Sequence, residues 1–257
     1  MFDIVVLSLV QSLTEFLPIS SSGHLTLFKL LGISQQTLLM DITLHAGTLI
    51  AVIFYFRNDL YRLLKGIFSS HQERHLLGCL IIATLPSCLG GYLLASYVSF
   101  FHIPLILAFT AIFWGVILWW ADKYAPKNKK LFQMSYKEAF FIGCFQVLAL
   151  VSGTSRSGIT ITSSRALGFS RTESAKFSML LSIPTILLGT GYVFFSEFTY
   201  LQNHNIESLI YGFILSSGFG LLVIWGLMKW IQKSSFFIFA LYRIILGIFL
   251  VFWNFFQ

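Results

Sequence analysis

Gln11 and Glu15 stand four residues apart, on one face of a helix, and lead into Pro18-Ile19-Ser20-Ser21-Ser22-Gly23, with His24 three residues beyond Ser21. A second run of the same character, Ser152-Gly153-Thr154-Ser155-Arg156-Ser157-Gly158, lies 135 residues later, and Arg156 takes the position of Ser21. If helix resumes after each run, two helix N-termini offer unpaired N–H groups and positive dipole ends beside a guanidinium and several hydroxyls. That is an anion site by construction. Hydroxyl and imidazole can face one cavity within it.

The medium around these residues decides how much they mean. Of 257 residues, 56% are hydrophobic and only 11% charged, against roughly 25% charged in soluble domains. Most of the surface must therefore face hydrocarbon. A serine there is commonly packing glue and a histidine a satisfied core residue. A Glu or Arg is different, because each costs about 2.5 to 3.5 kcal/mol or more at the bilayer centre. Asp41 and His45, also four apart, are open to either a supporting or a purely structural role.

Formal charge is +7, but the basic residues sit in short segments between apolar stretches, which suits loop anchoring and excludes a nucleic-acid face. Cys79, Cys88 and Cys144 stand singly in apolar stretches and read as small buried hydrophobes. Met1 to Val10 lacks the basic start and small-residue cleavage site of a signal peptide, so the first helix is expected to stay.

Six stretches are long enough to span: Leu38 to Phe56, Leu76 to Val98, Ile103 to Ala121, Ser174 to Phe195, Ser208 to Trp230 and Phe236 to Phe256. Met1 to Gly32 and Glu138 to Gly168 are instead broken midway by the two Ser- and Gly-rich runs. Each reads as a re-entrant hairpin, since Pro18 disfavours helix at Leu17 and glycines permit tight turns. The broken segments also match each other: Gln11 falls on Gln146, Leu13 on Leu148, Ser20 on Ser155, Ser22 on Ser157 and Gly23 on Gly158. With one inserted residue Leu31-Gly32 falls on Leu167-Gly168 and Ser34 on Ser170, and with a second Thr48 falls on Thr185 and Tyr55 on Tyr192.

The expected fold class is thus an all-α polytopic membrane protein, six transmembrane helices plus two re-entrant helical hairpins in an inverted repeat. Repeat one covers 1–121, repeat two 138–257, and 122–137 is a cytoplasmic linker. Arg57, Arg62, Lys65 and Arg74 fill one connection and Lys123, Lys127, Lys129, Lys130 and Lys137 another, while Ser99 to His102 and Glu197 to Asn205 carry no Lys or Arg. The positive-inside rule puts the basic loops in the cytoplasm and both termini outside. The first hairpin then enters from the outer side and the second from the inner.

The runs Gln11-Ser-Leu-Thr-Glu15-Phe-Leu-Pro-Ile-Ser-Ser21-Ser-Gly-His24 and Gly153-Thr-Ser-Arg156-Ser-Gly158 resemble the two signature motifs of the undecaprenyl-diphosphate phosphatase, or bacitracin-resistance, family. Phe145-Gln146, the Asp41 to Phe56 span and Ala240-Leu-Tyr-Arg243 extend the resemblance through nearly the whole chain. Gln11 stands where many members carry Glu, and Thr154 where a larger apolar residue is common. Type 2 phosphatidic acid phosphatases share Ser-Gly-His and Ser-Arg fragments, but this chain has no Arg-Pro pair and no His between Arg156 and His204.

The resemblance implies hydrolysis of undecaprenyl diphosphate at the outer side of a bacterial cytoplasmic membrane, recycling the lipid carrier of peptidoglycan synthesis. Glu15, Ser21, His24 and Arg156 are the expected catalytic residues, with Ser21 as nucleophile and His24 as base; the rival assignment makes His24 the nucleophile. Gln11, Ser20, Ser22, Gly23, Thr154, Ser155, Ser157 and Gly158 would bind the diphosphate. Glu15, with Gln11, would hold a divalent cation, Mg²⁺ or Ca²⁺. The same architecture suits a transporter that flips polyprenyl phosphate, but that task needs neither a base nor a metal carboxylate. A purely structural subunit would not need Arg156 at membrane depth. The sequence leaves room for a homodimer.

Overall fold

The computed structural model describes residues 1–21, 23–24, 37–94, 103–196 and 206–255. In chain order the helices are α1 (Phe2–Phe16), α2 (Leu38–Tyr55), α3 (Arg57–Ser69), α4 (His71–Leu94) and α5 (Pro104–Tyr124). They continue with α6 (Tyr136–Val147), α7 (Arg156–Ala166), α8 (Arg171–Ser196), α9 (Ile206–Lys233) and α10 (Phe237–Phe255). Among the described residues the extended pairing is limited to an isolated bridge between Lys129 and Phe169.

Six of these helices, α2, α4, α5, α8, α9 and α10, are long and apolar enough to cross a membrane. They coincide with the six stretches read from hydropathy. Their outward faces carry large apolar side chains, such as Phe109 and Phe113 on α5 and Phe249 and Phe252 on α10, as a hydrocarbon solvent requires. Helices α6 and α7 have 12 and 11 residues, about 18 and 16 Å at 1.5 Å per residue. Neither can cross a core about 30 Å thick.

One element goes beyond the reading of residues 57–74 as a basic connection. Arg57–Ser69 is helical: Leu63 is buried against the protein, while Tyr61, Leu64 and Phe68 are exposed beside Arg62 and Lys65. Thirteen residues with three of these charges cannot span, but Leu, Lys and Arg are good helix formers and the chain takes one.

In the packing, α5 lies along α10, α9 along α1 and α2, and α4 along α6, with α2 against α8. Helix α7 sits among α5, α6, α8 and α1. It is buried from Ser157 to Arg165 although it is rich in Ser and Thr. The hydroxyls are satisfied locally: Thr160 Oγ1 donates to Arg156 O at 2.9 Å, Thr162 Oγ1 to Gly158 O at 2.6 Å and Ser163 Oγ to Ile159 O at 2.9 Å. Such back-bonding lets most of a polar helix enter an apolar interior with its hydroxyls paired, and Ser164 Oγ is the buried hydroxyl of α7 left without a partner among the described residues.

A charge cluster fixes the far end of α7. Asp122 accepts from Arg165 Nε at 3.2 Å, from Arg171 Nε and Nη2 at 2.7 and 2.8 Å, and from the Phe236 amide at 3.1 Å. Arg165, wholly buried, also donates to the carbonyls of Pro126 and Phe169. The ends of α5, α7, α8 and α10 meet there. Ser22, the matched residues Leu31, Gly32 and Ser34, the connections at Ser99 to His102 and Glu197 to Asn205, and the span ends from residue 95 and at Phe256 lie outside the described residues.

Candidate active site

Two backbone turns build the site. Helix α1 stops where Leu17, restrained by Pro18, turns extended at φ −71° and ψ 145°. Ser20 follows at φ 77°, helix resumes at Ser21, and Ser20 Oγ accepts from the Gly23 amide at 3.4 Å. In the second turn, Gly153 has φ 86° and Ser155 φ 66°, and Ser155 Oγ accepts from the Gly158 amide at 3.1 Å. A Cβ on Gly153 would strike Thr110 Oγ1 and lie 2.5 Å from Leu107 O, so glycine is required. Ser20 and Ser155 are the two non-glycine residues with positive φ among those described. Each such residue costs about 1 to 3 kcal/mol and persists only where its surroundings hold it.

The turns bring side chains from distant parts of the chain together. Arg156 Nη2 donates to Glu15 Oε1 at 2.7 Å and Nη1 to Ser178 O at 3.1 Å. Gln11 Nε2 donates to Glu15 Oε2 at 3.3 Å. His45 Nε2 lies 3.6 Å from the same oxygen, while His45 Nδ1 donates to Asp41 O at 2.8 Å. Because a carbonyl can only accept, Nδ1 carries a proton, and Nε2 is the nitrogen turned toward the Glu15 carboxylate. Ser157 Oγ donates to Leu17 O at 3.0 Å and stitches one turn to the other.

A cavity of about 370 Å³ opens here, with Glu15, Ser21, Asp41, His45, Arg156 and Thr185 on its polar side. Leu38, Ile42, Ile186 and Val193 form an apolar wall between α2 and α8. Another cavity, about 280 Å³, lies among α3, α4 and α8, but several of its charged groups are already engaged within the protein. Lys176 pairs with Asp59 at 2.5 Å, and Glu173 accepts from the Leu131 amide.

The expected residues therefore divide. Glu15, Ser21 and Arg156 line the cavity, and Gln11 touches it through Glu15. Ser20, Gly23, Ser155, Ser157 and Gly158 make the turns, and their polar atoms are engaged in the caps and stitches just described. Thr154 is buried, its hydroxyl without a partner among the described residues. His24 does not line the cavity: Nδ1 donates to Ser20 O at 2.7 Å and Nε2 accepts from the Tyr242 hydroxyl at 2.5 Å. Its ring lies parallel to that of Tyr242, 5.6 Å away.

Sequence reasoning leaves Asp41 and His45 undecided and gives no site role to Thr185, Tyr242 or Arg243, although it names the first as a repeat partner and the other two within the Ala240-Leu-Tyr-Arg243 stretch. Thr185 is detectable as the repeat partner of Thr48. Its hydroxyl accepts from Gln146, the partner of Gln11, at 3.3 Å.

For a divalent cation, the donor set is small. No group of three or more His, Cys, Asp or Glu is gathered among the described residues. Gln11 Oε1, however, is a buried acceptor with no partner among them, beside the Glu15 carboxylate. Two hard oxygens fit an ion that takes its other ligands from water and phosphate.

A family model described as Bacitracin resistance protein BacA matches residues 4–249. An undecaprenyl-diphosphatase of Saccharophagus degradans is 41% identical over 250 residues, covering 95% of this chain and 94% of that protein. Undecaprenyl-diphosphatase 2 of Stutzerimonas stutzeri is 37% identical over 261 aligned positions, covering 96% of each. This chain, with Glu15 and Arg156 joined across its two turns, belongs to the BacA bacitracin-resistance family.

Proposed function

We propose that this protein hydrolyses undecaprenyl diphosphate to undecaprenyl phosphate and phosphate. One observation carries the reading: Arg156 is delivered to Glu15 at 2.7 Å, inside a cavity that also holds Ser21 and His45. A guanidinium fork, a carboxylate, a hydroxyl and an imidazole are the groups a phosphoryl transfer needs. Both relatives are named for this reaction. Nothing comparable favours the flipping transporter.

Arg156 binds two phosphate oxygens of the substrate, releasing part of its hold on Glu15. The prenyl chain leaves along Leu38, Ile42, Ile186 and Val193, into the bilayer. Glu15 and Gln11 would hold a divalent cation, which when bound neutralises charge on the diphosphate. Ser21 Oγ attacks the terminal phosphorus, the bond from that phosphorus to the bridging oxygen breaks, and undecaprenyl phosphate departs. Water then cleaves the phosphoserine to release phosphate.

The cavity position of Ser21 favours it over His24 as nucleophile. His45 is the imidazole that lines this cavity together with Ser21, its Nδ1 held on Asp41 O, and we assign it the Ser21 proton. In a second reading His24 takes that proton. Its place three residues after Ser21 favours this, but Nε2 must first exchange the Tyr242 hydroxyl for Ser21.

The inverted-repeat reading is supported by the twinned turns. Ser20 and Ser155 share the positive φ, and each caps the glycine amide three residues on. Exchange of the halves also maps the α1–α9 contact onto α6–α4 and α2–α9 onto α8–α4. On this reading α6 and α7 form the second re-entrant hairpin and 1–121 and 138–257 are the repeats. The protein lies in the bacterial cytoplasmic membrane with its site open to the outer side. Whether it acts as a monomer or homodimer is decided by its mass in detergent.

Phosphate release from undecaprenyl diphosphate by the purified chain, with and without chelator, tests the proposal. Release that stops on chelation and returns with Mg²⁺ or Ca²⁺ is expected. No release under any ion refutes it.

A further inference from the structure

Tyr242 and Arg243 are neighbours on α10, line neither of these cavities, and between them reach both broken turns. The Tyr242 hydroxyl donates to His24, and His24 Nδ1 donates to Ser20 O. Arg243 Nη2 donates to Gly153 O and to Thr154 O, both at 2.8 Å. The carbonyls held in this way belong to Ser20 and to the two residues before Ser155. One belongs to a strained serine and the other two lead into the second. Helix α10 comes close enough because α5 has a glycine at the crossing: a Cβ on Gly115 would lie 3.2 Å from Arg243 Cβ.

Arg243 is fully buried, and its Nε and Nη1 have no partner among the described residues. A Cβ on Gly158 would lie 2.6 Å from Nη1, so the guanidinium rests against the first turn of α7. A neutral amide could donate to the same two carbonyls without the cost of a buried, unpaired charge. A cation kept there at that cost points to a task beyond packing.

We propose that Tyr242 and Arg243 form a clasp: they are positioning residues that hold the two turns in the register at which Glu15 meets Arg156. Arg243 also places a positive charge, balanced by no carboxylate among the described residues, behind the turn that carries Arg156. Its kinetic consequence rests on the phosphatase reading. Its structural consequence does not.

The test uses the full chain in lipid nanodiscs, with Tyr242→Phe, Arg243→Lys and Arg243→Met. Phosphate release from undecaprenyl diphosphate and amide hydrogen exchange by mass spectrometry are measured on each. Tyr242→Phe keeps the ring stack and loses one hydroxyl; kcat should fall about tenfold with KM within about threefold. Added to His24→Asn it should cost nothing further, because Tyr242 acts through His24. Arg243→Met should lower kcat by about a hundredfold or more. Arg243→Lys should recover to within about tenfold of the parent, since one nitrogen makes both carbonyl bonds.

Exchange should rise in the peptide from Phe16 to His24 for Tyr242→Phe, and in that from Val151 to Gly158 for Arg243→Met, with the six spans unchanged. Unchanged kcat in both Tyr242→Phe and Arg243→Met, or exchange rising evenly along all helices, overturns the clasp. If Arg243→Met does not fold, Tyr242→Phe and Arg243→Lys decide the question by the same readings. A parent protein that releases no phosphate refutes the phosphatase instead, and the exchange pattern still decides the clasp.

Discussion

Replacing Arg156 by Lys keeps the charge and removes the fork. In the structure the two terminal nitrogens have separate tasks: Nη1 is anchored on Ser178 O at 3.1 Å and Nη2 reaches Glu15 Oε1 at 2.7 Å. An ammonium has one nitrogen and a shorter reach, so it can serve the anchor or the anion, not both. The loss is at least one charge-assisted hydrogen bond, worth about 1.5 to 3 kcal/mol. At 1.36 kcal/mol per tenfold, that is roughly 10- to 150-fold in kcat/KM. Steady-state phosphate release from undecaprenyl diphosphate measures it, with thermal unfolding of the same preparations as a folding control. Turnover within about twofold of the parent would remove Arg156 as the clamp, because no other cation lines the cavity among the described residues.

For the nucleophile, Ser21→Ala should leave at most trace activity, and acid quench of enzyme with labelled substrate should trap acid-stable phosphoserine; an acid-labile adduct on His24 would reverse the assignment. For the base, His45→Asn should lower kcat about 10²- to 10⁴-fold, and a smaller loss than in His24→Asn would transfer the role to His24. Asp122→Ala leaves Arg165 buried without its carboxylate, and should destabilise the fold by about 3 to 5 kcal/mol; an unchanged melting temperature would show that the carbonyls around Arg165 suffice. A cysteine replacing Asn203 should be labelled by impermeant reagents from outside cells and one replacing Asn128 should not. The opposite pattern inverts the orientation.

What is legible in the sequence follows from chemistry that acts locally. Twenty apolar residues in a row must find hydrocarbon whatever they pack against, so the six spans can be read from hydropathy alone. Pro18 and Gly153 restrict or free backbone angles within their own few residues, so both breaks are visible in the order of residue types. Glu15 and Arg156 can be singled out by cost, because a charge in an apolar stretch is expensive wherever its partner lies.

Partner choice cannot be read in this way. Glu15 and Arg156 are 141 residues apart, and only the packing of α7 against α1 makes them neighbours. Sequence spacing pairs Ser21 with His24, since three residues is one helical turn. The contacts divide them instead: Ser21 lines the cavity, and His24 is held between Ser20 O and Tyr242, a residue 218 positions away. His45 gains its place because α2 lies against α8 and turns that face to Glu15. Arg243 is visible in the sequence only as the close of the Ala240-Leu-Tyr-Arg243 stretch, with no role attached, and its contact with Gly153 and Thr154 exists only because α10 packs along α5. Composition and local geometry settle which residues enter the membrane and where the backbone breaks. Which charge meets which is decided by helix packing, because a hydrogen bond acts over about 3 Å and only the tertiary fold brings distant turns that close.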